Sequence, residues 1–136
     1  MRAWLRDVLG RRPWWMNALL GFCAYMTFVY LPFDLFWKPV ESDTEVWLGL
    51  ELHGKWAKAT EPLHWAIYAA GAWGFWKMKR WMHPWAAVYT ASVAIGMLVW
   101  SATDPRSPSP WLGLVPFAAF GALAVALWRA RARFST

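Results

Sequence analysis

The stretch WWMNALLGFCAYMTFVYLPFDLFW, Trp14–Trp37, decides the fold class. It runs for 24 residues with a single charge, Asp34, near its far end. About 20 apolar helical residues, each rising about 1.5 Å, cross a hydrocarbon core roughly 30 Å thick. Two further segments read the same way: Pro84–Thr103 is 20 residues and Trp111–Trp128 is 18, neither with a charge. A fourth, Pro62–Trp76, is shorter at 15 residues and lies between Glu61 and Lys77. Snorkelling by Lys77 and local thinning of the bilayer extend its reach. With 59% hydrophobic residues and 14 tryptophans in 136 residues, the chain holds more apolar surface than a small soluble domain can bury. The expected fold is an all-α integral membrane protein, a single domain over residues 1–136. Its transmembrane helices fall at about 14–37, 60–78, 83–103 and 110–129.

The charges orient these helices. Arg2, Arg6, Arg11, Arg12, Lys77, Lys79, Arg80, Arg129, Arg131 and Arg133 fall on one side of the four spans. Only Lys38, Lys55, Lys58 and Arg106 fall on the other, with every acid except Asp7. That asymmetry predicts a multi-pass protein of the cell (inner) membrane with both termini cytoplasmic. The arginines before the first span, with no small-residue cleavage site after it, predict an uncleaved signal anchor. The basic residues are scattered over three juxtamembrane segments, so they suit topology and anionic headgroups rather than nucleic acid. One cysteine, Cys23, excludes a disulfide framework, a CxxC redox pair and a cysteine metal site within the chain.

Outside the spans, residues 1–13 can form a basic amphipathic surface helix with Trp4, Leu5, Val8 and Leu9 toward lipid. Most tryptophans sit at span ends and read as interfacial anchors. In the long connection Lys38–Glu61, Ser42 followed by Glu45 is a capping-box pattern. It predicts a short outer interfacial helix over about 43–57. Ala66, Ala70 and Gly74, Ser92 and Gly96, and Ala118, Ala122 and Ala126 repeat small residues every four positions, as close helix packing in lipid requires.

Polar residues inside spans are costly unless paired or wet, and they mark the candidate site. Cys23, Thr27, Tyr30 and Asp34 share one face of the first span; Glu61, His64 and Tyr68 share one face of the second. In antiparallel helices Asp34 and Glu61 or His64 lie at similar depth. The candidate pocket is therefore Tyr30, Asp34, Glu61, His64 and Tyr68, joined by Trp100 at the outer end of the third span. Asp34 is expected to face inward and meet His64 or Tyr68. Three readings stay open: a pair that pins the helices, a pocket for a ligand or proton, and a metal set of Glu51, His53, Glu61 and His64. No HExxH or comparable spacing supports the last. No catalytic residue and no cofactor are assigned, beyond a bound lipid.

Pro32 and Asp34, Glu61-Pro62, and Lys79-Arg80-Trp81 through Tyr89 resemble the EXPERA family of four-span sterol-isomerase and sterol-binding proteins. The resemblance implies a hydrophobic-ligand pocket. It carries no catalytic role, because the paired glutamates that the isomerases use within the second and third spans are absent. Three functions follow from the residues: a non-enzymatic accessory subunit packing against a membrane-protein partner, a lipid- or sterol-binding module, and a small homo-oligomeric transporter or channel. The absence of any catalytic motif puts the accessory subunit first.

Overall fold

The structure is a computed structural model that describes residues 1–136. A basic helix α1 (Arg2–Gly10) ends before Pro13, and α2 (Trp14–Phe36) follows as the first long apolar helix. Strands β1 (Thr44–Trp47) and β2 (Leu50–His53) form an antiparallel hairpin. Then come α3 (Gly54–Lys77), α4 (Met82–Thr103) and α5 (Leu114–Arg129), the last flanked by 3₁₀ turns at Pro110–Gly113 and Ala130–Arg133.

Three helices, Trp14–Phe36, Met82–Thr103 and Pro110–Arg133, are long and apolar enough to cross a membrane. The fourth expected span is α3. At 24 residues it reaches about 36 Å, but Lys55, Lys58, Glu61 and Lys77 keep its composition below that of the other three.

The expected outer helix over 43–57 is replaced by a 3₁₀ turn at Val40–Ser42, the hairpin, and a helix that begins at Gly54. The Ser42 hydroxyl donates to the Pro39 carbonyl rather than capping a helix, and Glu45 turns inward. Leu48 and Gly49 both adopt positive φ, +51° and +81°, as a two-residue hairpin turn requires. Along Thr44 to Trp47 the strand turns Glu45 inward, while Val46 and Leu50 stay more exposed.

Helix α2 contains a π turn, Met26–Tyr30, just before Pro32. Pro32 has no N–H to give, so the ladder must adjust here. The Thr27 carbonyl accepts from the Trp65 indole N–H at 2.8 Å, which ties α2 to α3.

The helices form two pairs, α2 with α3 and α4 with α5; α3 and α4 diverge although they are consecutive. Gly71 lies against Cys23 between α2 and α3, and Gly113 lies against Met97 and Ser101 between α5 and α4. Two of the expected small-residue stripes are not packing faces. Ala66, Ala70, Ala118 and Ala122 are exposed, and α5 packs through Ala124 and Leu127 instead. A core of Met16, Cys23, Phe75, Met78, Met82, Ala87, Leu127 and Phe134 closes the end near both termini. Arg12 is buried there and donates to the carbonyls of Phe75, Trp76 and Val8 and to the Asn17 side chain. Its guanidinium thus caps the last carbonyls of α3. Val8 is buried while Trp4, Leu5 and Leu9 stay exposed, so α1 turns one apolar residue inward.

Candidate functional site

The candidate residues separate into two constellations at the hairpin end. Asp34 does face inward, but it meets Lys38 at 3.1 Å rather than His64 or Tyr68. Asp34, Asp43 and Glu61 are all buried, with one oxygen from each within 4.8 Å of the others. Lys38 and Lys58 hold them together. Lys38 also reaches Asp43 at 3.2 Å, and Lys58 reaches Asp43 at 3.0 Å and Glu61 at 3.4 Å. The Lys58 ammonium further donates to the Asp34 and Lys38 carbonyls. Burial alone would lower both lysines, but their bonds to Asp43 and its neighbours raise them above the ordinary lysine value. Burial likewise pushes Asp43 up, and Glu61, Lys58 and Lys38 together hold it below the usual carboxylate value. Three carboxyls against two ammoniums make a nearly neutral knot. It joins the end of α2, the entry to the hairpin and the start of α3.

The second constellation lines a cavity of about 580 Å³ between α3, α4 and the hairpin. The walls are mainly apolar, from Val46, Leu48, Ile67, Val93, Met97 and Trp100. The hairpin turn forms one edge because Gly49 lies directly on Gly96, where any added Cβ would strike backbone. Arg106 reinforces this seat, pairing with Glu51 on β2 and with Asp104 in its own loop. Hydrogen bonds from Arg106 hold the Asp104 carboxyl down to about 2.

Four side chains form a polar line in this cavity. Glu45, on the inward face of β1, pairs with His64 Nδ1. His64 Nε2 lies 3.4 Å from the Tyr89 hydroxyl, which is 3.3 Å from that of Tyr68. The Tyr89 hydroxyl donates its one proton to Tyr68, which leaves its oxygen facing His64 Nε2. Trp47 stacks on His64 with ring centroids 4.2 Å apart, fixing the ring plane. The Trp47 indole N–H is buried without an acceptor, although buried polar groups are nearly always paired.

Of the sequence candidates, His64, Tyr68 and Trp100 line the cavity, Asp34 and Glu61 belong to the lysine knot, and Tyr30 lies exposed beside Tyr25. The four-residue metal set is dispersed. Glu51 pairs with His53 and Arg106, Glu61 with Lys58, and His64 with Glu45. Sequence reasoning missed Glu45, Trp47 and Tyr89. The alternation Glu45-Val46-Trp47 before Leu48-Gly49 was the available signal for the first two; Tyr89 gave none beyond its place on α4. Comparison with known proteins finds no family model, no curated protein and no solved structure that matches this chain.

Proposed function

We propose that the protein is a membrane-embedded binding module for one amphipathic, lipid-sized molecule. The cavity carries this reading: about 580 Å³ with apolar walls and a few converging polar groups is the usual form of a small-molecule site. The ligand's polar head meets His64, Tyr68 and Tyr89 and offers an acceptor to the Trp47 N–H, while its apolar body lies between α3 and α4. In this reading α3 also crosses the bilayer, so that both termini lie in the cytoplasm and the hairpin covers the cavity on the outer side. The Glu45–His64 pair sets head-group recognition, not turnover.

Native mass spectrometry after gentle extraction tests this. The wild-type chain should retain one lipid-mass adduct, and Val93→Trp, which fills the cavity, should lose it while keeping its helical circular dichroism. An adduct indifferent to Val93→Trp, or none at all, overturns the proposal. A stoichiometric protein partner in place of lipid would favour the accessory-subunit reading.

A further inference from the structure

At the end opposite the cavity, Arg80, His83, Arg129, Arg131, Ala132 and Phe134 line a second cleft of about 580 Å³. It lies between the turn that enters α4 and the close of α5. Its charges are uncompensated. The Arg129 and Arg131 side chains make no hydrogen bond or ion pair within the chain, and the Arg80 side chain donates only to the Ser135 carbonyl. The sole acid near this end of the sequence, Asp7, is taken by Arg11. The hairpin end is built differently, since Lys38, Lys58 and Arg106 each have a carboxylate there. His83 adds a second observation. Its Nδ1 is buried with no partner, while its ring packs on Trp128 at 4.7 Å.

Basic side chains after a membrane helix commonly serve topology, and a cation near a helix C-terminus is favourable in its own right. Neither reason calls for a shared cleft or an orphaned imidazole nitrogen. Three arginines line one hollow, and a phosphate group offers the fork geometry that arginine matches. Trp81, Trp85 and Trp128 around the cleft are exposed, which sets it at headgroup depth. We infer that this cleft is a phosphate site and that it seats the headgroup of an anionic phospholipid, with Arg129 and Arg131 as the principal ligands and Arg80 beside them.

The test places the full chain in nanodiscs of equal phosphatidylglycerol and phosphatidylcholine and reads retained lipid by native mass spectrometry. Wild type should favour phosphatidylglycerol by about thirtyfold, since each of the two arginines contributes on the order of 1 kcal/mol at the surface. Arg129→Gln/Arg131→Gln should abolish the preference. Arg2→Gln/Arg6→Gln removes the same charge away from the cleft and should keep it. Equal loss in both double variants would reduce the effect to surface charge and overturn the site. A wild-type chain without preference, or inorganic phosphate competing as well as the lipid does, would overturn the headgroup assignment. Should the first variant misfold, Arg129→Lys/Arg131→Lys must weaken the preference while leaving the melting temperature near wild type; an unchanged preference would likewise count against the site.

Discussion

Arg12 shows how one side chain can hold an end of this protein. It is buried with no acid beside it and is satisfied by three carbonyls and an amide oxygen. Lysine lacks the fork, and alanine strips the cap from α3. Arg12→Ala is expected to cost about 2–4 kcal/mol, more than one charge-assisted hydrogen bond, and Arg12→Lys only somewhat less; thermal unfolding in a fixed lipid or detergent measures both. The lysine knot gives a pH signature. Asp43 is held below its ordinary value, so its contribution is present above about pH 4 and fades as acid protonates it in the fold. Lys38 and Lys58 are held above theirs, so their contribution is complete below about pH 10 and fades as they deprotonate. Melting temperature should fall below the first limit and above the second, and Asp43→Asn should lower it at neutral pH while flattening the acid-side fall. A third expectation concerns pairing. Glu45→Gln with His64→Ala should show a coupling of about 0.5–3 kcal/mol, whereas Asp34→Asn with His64→Ala should add, since Asp34 belongs to the lysine knot.

At the scale of elements, the hairpin is the piece on which the cavity depends. Leu48 holds a left-handed conformation that a branched apolar residue adopts only at a cost of about 1–2 kcal/mol. Leu48→Asn should therefore slow hydrogen exchange across β1 and β2. Gly96→Val should do the opposite, because a side chain there would lie 3.1 Å from the Gly49 nitrogen and 3.3 Å from the Leu48 carbonyl carbon. Backbone cannot yield as a flexible side chain would, so the hairpin should lift and the cavity lose its ligand. An exchange rate unchanged in Gly96→Val would show that the hairpin is seated by other contacts. The sequence cues misled here because Ser42 and Glu45 mimic a capping box, while Leu48-Gly49 is an unusual choice for a two-residue turn where Asn-Gly is the familiar one. Val46, Trp47, Leu50 and Gly54 fit one helix face, and so short a segment does not separate that pattern from two strands.

For the whole molecule, the charge asymmetry sets the expected topology. A cysteine placed at Ser42 should react with an impermeant reagent in intact cells, and one at Ser135 should not; the reverse pattern would invert the protein in the membrane. Apolar length and charge placement were legible in the chain because they are local sums. Trp14–Trp37, Pro84–Thr103 and Trp111–Trp128 reveal three membrane-length helices without reference to any contact. The boundary of α3 was less legible, since Lys55, Lys58 and Glu61 read as a polar loop until Lys58 is seen to pair with Asp43 and Glu61. Only the tertiary structure decided which polar groups meet. Helical spacing puts Asp34, Glu61 and His64 at similar depth, but depth does not choose partners. For His64 that choice came from Glu45, 19 positions away, on a hairpin seated where Gly49 meets Gly96, whereas Asp34 and Glu61 pair with the nearby Lys38 and Lys58. Apolar burial in lipid is additive along the sequence, whereas the meeting of Glu45 with His64, and of Asp43 with Lys58, exists only where distant segments dock.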